Sequence, residues 1–134
     1  MKTVIEVDQC FFDSVEEIQA DIKKHDLYGG ENEFDAAPSG GTPLHWHAIG
    51  LYVYITDGKF RFQDPATGEI HECVKGTRFV IPERALHIEE EHNGYKGYLG
   101  MTREVFPQNF VRDPAELKDL APLEAEVKTE TQEA

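Results

Sequence analysis

The sequence predicts one mostly-β domain, a sandwich or barrel of short strands. Three observations carry this. A length of 134 residues fits a single domain that can bury its own core. From residue 43 the pattern reads as β for nearly sixty residues, in short segments whose faces repeat with a period of two rather than that of a helix. Turn-forming clusters at Asp57-Gly58, Asp64–Gly68, Gly76-Thr77, Pro82–Ala85 and His92–Gly94 interrupt that stretch every roughly eight to twelve residues.

Ahead of the β region, residues 3–7 are β-branched and read as an edge strand. Asp13-Ser14 then opens a helix near 14–24. Ser14 and Glu17 fit a capping box, Val15, Ile18 and Ile22 form its apolar stripe, and the acids fall largely off that stripe. Lys23, Lys24 and His25 suit its C-terminus, where a cation meets the helix dipole. Residues 44–56 read as a strand broken near 48–50, with His45, His47, Leu51, Val53 and Ile55 on one face and Trp46, Tyr52 and Tyr54 on the other. That outward aromatic stripe calls for a cover, either the helix or a second subunit. Asp57-Gly58 reads as a hairpin turn into residues 59–63, where Phe60 and Phe62 share a face and Arg61 opposes them. Strands follow at 69–75, 79–81, 86–91 and 95–101, with a hairpin at His92–Gly94 that leaves His92 exposed. His71 reads as a hydrogen-bonded structural residue. Asp113-Pro114 caps a short helix over 115–120, and residues 122–134 form an acidic tail expected to be disordered.

Composition excludes several classes. The net charge of −13 leaves no basic stripe for phosphates, so no nucleic acid is expected as a partner. No stretch approaches the roughly 20 apolar residues of a membrane span, and the opening Met1–Asp8 does not read as a signal peptide, so a cytoplasmic protein is the expectation. Cys10 and Cys73 are too few for a disulfide scaffold and read as small buried residues.

Chemistry concentrates in two stretches, Gly41-Thr-Pro-Leu-His-Trp-His47 and Pro82-Glu-Arg-Ala-Leu-His87. Neutral imidazole is the commonest metal ligand, and His45 and His47, spaced i, i+2, point the same way from a strand. Gly41, His45, His47 and Gly58 resemble the first motif of the cupin superfamily, and Gly76-x5-Pro82-x4-His87 resembles the second. The seventeen residues between Gly58 and Gly76 match the short spacing of small cupins. The resemblance spans about residues 38–101 within a domain of 1–121. It implies a jelly-roll barrel (double-stranded β-helix), commonly dimeric, so a homodimer is expected.

Four positions depart from the family pattern. Three residues, not five, separate Gly41 from His45; Leu51 stands where a fourth, glutamate, ligand is usual; Arg84 replaces the second motif's glycine; Glu91 stands in place of an asparagine. The resemblance therefore implies His45, His47 and His87 as ligands of one divalent transition metal per chain. Imidazole suits iron, zinc, copper and nickel alike, and manganese stays open. Three-histidine cupins include thiol and β-diketone dioxygenases, which favours iron(II) and a small anionic substrate. Glu89 and Glu91 share parity with His87; Glu89 is a candidate acid/base or a substitute ligand, whereas Glu91 reads as solvated. A non-catalytic binding or sensory cupin, and a metal-dependent lyase or isomerase, remain alternatives.

Overall fold

In a computed structural model, which describes residues 5–104 and 111–115, one long strand belongs to both sheets of the molecule. This is β4 (Leu51–Gln63), preceded by β1 (Glu6–Asp8), α1 (Val15–Lys24), β2 (Phe34–Ala36) and β3 (Thr42–His45). It is followed by β5 (Ile70–Val74), β6 (Arg78–Ile81), β7 (His87–Glu89) and β8 (Tyr95–Met101). The first half of β4 pairs with β6 and β8, giving a sheet in the order β1-β6-β4-β8-β2. Its second half pairs with β5 and β7, giving the order β5-β4-β7-β3. All pairings are antiparallel.

The Asp57-Gly58 hairpin expected from sequence is absent. The strand continues through these residues, and the register with β8 shifts between Ile55 and Asp57. Gly58 adopts φ +79, and a Cβ there would stand 2.7 Å from the Gly94 carbonyl oxygen. The glycine thus serves a bulge that swings β4 from one sheet to the other, not a chain reversal. Likewise, His92–Gly94 does not close a hairpin, because β7 and β8 do not pair with each other: β7 pairs with β3 and the second half of β4, β8 with β2 and the first half of β4. His92 is half-buried there, against the rings of Phe60 and Tyr95.

The apolar faces of the two sheets meet in one core. Val53, Ile55, Phe79 and Ile81 from the first pack with Phe60, Phe62 and Cys73 from the second. Among the described residues the arrangement is an open β-sandwich rather than a closed barrel: β1, β2, β3 and β5 each have a single partner strand. No helix among these residues is long and apolar enough to cross a membrane.

A second apolar cluster, Phe12, Ile18, Ile22 and Tyr54, lies under α1. The Ser14 hydroxyl accepts the Glu17 N–H at 3.3 Å, and the Glu17 carboxylate accepts the N–H of Asp13, one residue before the position a capping box specifies. Val15 is exposed despite its place on the predicted stripe, and Asp21 takes a buried position instead. Asp21 accepts from the Tyr54 hydroxyl at 2.6 Å and from Arg78 Nη1 at 3.0 Å, so the buried acid has partners. His25 is the C-cap residue. The aromatic stripe is covered from within the chain: Tyr54 by α1, and Trp46 by residues 111–113, where the Asp113 carbonyl accepts its indole N–H at 2.9 Å.

The cysteines divide. Cys73 is buried and its thiol is pushed up to about 12, first by burial and then by the charge of Glu72. Cys10, expected to be buried, is exposed at φ +53. The Asp113 carboxylate accepts the Ala115 N–H as a cap would. The helix expected over 115–120 runs beyond the described residues, and the tail at 122–134 lies outside them.

Candidate metal centre

β3 and β7 lie side by side with His45 opposite His87, which brings the two sequence motifs into one site. Gly41 starts that pairing at φ +97; a Cβ on it would sit 2.7 Å from the Glu89 carbonyl oxygen, so only glycine allows β7 this close. The loops are also joined directly, since the Arg84 N–H donates to the His47 carbonyl at 2.9 Å. Pro82–Ala85 forms a β-turn closed by Ala85 N–H to the Pro82 carbonyl. Its third residue, Arg84, has φ +68. That conformation explains why the family resemblance places a glycine here; arginine keeps the turn at a cost of roughly 1–2 kcal/mol.

His45, His47 and His87 are all buried, and their ring centroids lie 4.1–4.9 Å apart. Glu89, two residues beyond His87 and on the same face of β7, completes the group. One donor atom from each of the four residues lies within 4.8 Å of every other. Of the two acids considered from sequence, Glu91 is exposed and Glu89 joins the histidines. Leu51 contributes no donor and instead lines the adjacent cavity.

Tautomers follow from the hydrogen bonds. Nδ1 of His45 lies 2.8 Å from the Pro43 carbonyl oxygen, and Nδ1 of His87 lies 3.0 Å from that of Ala85. A carbonyl only accepts, so both Nδ1 atoms carry a proton, and in the neutral ring each Nε2 then presents its lone pair. Nε2 of His87 is buried with no hydrogen-bond partner. Nε2 of His45 faces Oε2 of Glu89 at 3.1 Å. Two acceptors at that distance repel unless a proton or a metal ion lies between them. Backbone carbonyls holding Nδ1–H are the usual outer support of a metal-binding imidazole.

These donors fit a transition metal. With bonds of about 2.1 Å, no two donors on one ion would stand more than about 4.2 Å apart, so the widest pair, at up to 4.8 Å, would close by at least about half an ångström. Imidazole nitrogens with one carboxylate suit iron, zinc, nickel, copper or manganese, and one carboxylate reduces the charge of the bound ion from +2 to +1.

Burial, followed by the neighbouring His45, pushes His87 down to about 3. The folded chain therefore keeps His87 neutral while the unfolded chain protonates it below its ordinary value near 6.5. Above that pH the two states bind equally. Below it the unfolded state gains a proton that the folded state lacks, and stability drops by about 1.4 kcal/mol per pH unit toward pH 3. The pH dependence of unfolding free energy in metal-free protein is expected to include that contribution, and His87→Gln to flatten the dependence below pH 6.5 by about one proton.

Beside the cluster lies a cavity of about 290 Å³, bounded by His47, His87 and Glu89 at one part and by apolar side chains elsewhere. Leu51, Val53, Phe60, Phe79 and Ile81 line it together with Phe34, Tyr95 and Leu99. Tyr95 and Leu99 are cavity residues that sequence reasoning left unassigned; their shared parity on β8 was the available signal. The Tyr95 phenol is held protonated, its acidity suppressed by burial and then by the charge of Glu89. His71 is not among the lining residues; its ring packs on Phe62. Arg61 is exposed beside Glu72 and Glu90, and Arg103 pairs with Glu83.

No protein-family model and no curated protein matches this chain. Solved structures do. A DUF861 family protein from Thermotoga maritima superposes with a TM-score of 0.51 at 10% identity, over 72% of this chain and 97% of that one. Two looser matches are the polyketide cyclase RemF from Streptomyces resistomycificus and a prolyl-4-hydroxylase from Pseudomonas putida. The first has a TM-score of 0.45 at 21% identity, over 73% of this chain and 70% of that one. The second has a TM-score of 0.47 at 12% identity, over 75% and 87%. This chain shares the mostly-β fold of the Thermotoga maritima DUF861 family protein.

Proposed function

We propose that this chain is a cupin that holds one divalent transition metal, iron(II) by preference, through His45, His47, His87 and Glu89. We propose further that it is a mononuclear metal-dependent enzyme of the dioxygenase type, acting on a small anionic molecule. The observation that carries the reading is the convergence of four donor atoms within 4.8 Å, three of them from residues that line an apolar cavity, with His87 Nε2 buried and without a hydrogen-bond partner. A buried polar atom without a partner is costly unless something coordinates it. Bound there, a divalent metal supplies a Lewis acid for an oxygen or sulfur anion and, as iron(II), a means of reaction with oxygen.

The chain's own residues favour this over a lyase or isomerase. Those reactions need a side chain that moves protons, and Glu89 as a ligand is no longer free for that role. Tyr95 is then the protic cavity residue outside the donor set, and its phenol resists deprotonation. The apolar walls beside the donors orient an apolar substrate body. A non-catalytic binding cupin would share every one of these features, so the test is turnover. Iron(II)-loaded protein is expected to consume oxygen with a thiol or a β-diketone while the organic substrate disappears. Loss of substrate without oxygen uptake would contradict the dioxygenase reading. Stable binding with no loss of any candidate would favour a binding or sensory role.

A further inference from the structure

The origin of the site's carboxylate restricts the ligand further than its anionic character does. Glu89 approaches the histidines from β7, whereas the resemblance expects the carboxylate from β4, at Leu51. The β4 side is consequently apolar. Leu51 lies opposite Ile81 and Val53 opposite Phe79 in the β4–β6 pairing, and all four line the cavity together with Phe60. Phe60 stacks on Phe79 at 5.4 Å and meets Tyr95 at 5.0 Å, so the wall is largely aromatic. No lysine or arginine lines the cavity among the described residues.

Charge and size then act together. A divalent ion with one carboxylate and three neutral imidazoles leaves a charge of +1, which a single negative charge balances. A second negative charge has no cation to meet it, and in an apolar cavity such a charge is strongly disfavoured. At about 30 Å³ per water, 290 Å³ holds about ten waters, so the part of a ligand that the cavity takes in is on the order of ten non-hydrogen atoms.

We infer that the ligand carries a single anionic head, a carboxylate, enolate or thiolate, on a compact apolar body that is best aromatic. The head meets the metal, and the body lies against Leu51, Phe60 and Phe79. Dicarboxylates, phosphate esters and sugars are excluded by the same wall. This inference rests on the metal reading above, and Leu51 becomes a residue that sets specificity.

Cobalt(II)-loaded protein tests it, because the visible bands of that ion report ligands entering its coordination sphere. Cobalt content per chain is measured first. Benzoate, acetate, succinate and phosphate are then titrated while the spectrum is followed. Benzoate is expected to bind roughly tenfold or more tightly than acetate, since only its ring buries apolar surface. Succinate and phosphate are expected to bind no better than acetate. Leu51→Asn should reduce the benzoate preference to a few-fold while cobalt content and acetate affinity hold, and Leu51→Met should preserve it. Cobalt uptake with benzoate no tighter than acetate, or with succinate or phosphate tighter, would overturn the ligand class and leave the metal reading standing. No cobalt uptake would overturn both.

Discussion

Replacing Asp21 with alanine is expected to lower the unfolding free energy by about 3 kcal/mol, the lower end of the range for breaking a buried ion pair. Asp21 sits under α1 and joins the Tyr54 hydroxyl to the Arg78 guanidinium. Without it, Tyr54 loses its acceptor in a fully buried site, and among the described residues Arg78 keeps Asp8, at 2.8 Å, as its carboxylate partner. Burial pushes Arg78 down, but hydrogen bonds to Asp8 and Asp21 outweigh it and raise the group overall, so it stays charged. It also lies 4.0 Å over the Phe11 ring, so it cannot swing to solvent without losing that contact. Removing Asp21 therefore strands a cation rather than deleting one bond. Tyr54→Phe, which removes a hydroxyl and leaves the ion pair, is expected to cost only about 1 kcal/mol. Chemical denaturation of the three proteins checks the order. The double change Asp21→Ala with Arg78→Met should recover part of the loss, because it removes the stranded charge as well.

Glu89→Ala is expected to weaken metal binding by about a hundredfold or more. Loss of an outer-shell partner alone typically costs 10–100-fold, and Glu89 supplies a donor atom itself. The change also removes the only carboxylate in the four-donor group, leaving the ion's full charge against an apolar wall. Moving the carboxylate to the position where the family resemblance expects it, Leu51→Glu combined with Glu89→Ala, should restore much of the affinity if β4 reaches the same ion. Competitive titration of iron(II) or zinc against a chromophoric chelator measures all three. Glu89→Gln retains size but not charge, and is expected to fall between parent and alanine.

The parts of the fold legible in the sequence are those fixed by local patterning. Ile18 and Ile22 marked the buried face of α1, Phe60 and Phe62 the inner face of β4, and the two histidine stretches the site. What sequence missed depends on contacts between distant strands. An Asp-Gly pair between two β segments reads as a hairpin turn, yet Gly58 serves a bulge because Gly94, thirty-six residues away, approaches its Cα. The burial of Asp21, one of the acids off the apolar stripe of α1, depends on two partners, Tyr54 and Arg78, that are remote in the chain. Glu89 stood undecided for a related reason: parity placed it on the His87 face, but whether that face turned inward depended on β3 docking against Gly41. The cover of the aromatic stripe is equally remote in sequence: Tyr54 packs under α1, and the Trp46 indole N–H meets the Asp113 carbonyl.

The central claim is that His45, His47, His87 and Glu89 together hold one metal ion. Elemental analysis of protein purified without a histidine tag and incubated with iron(II), nickel or zinc tests it most directly, with His47→Ala alongside. The account predicts about one metal per chain in the parent and almost none in the variant, with both proteins folded by circular dichroism. No metal in the parent under any of these conditions, or an undiminished content in the variant, would contradict it.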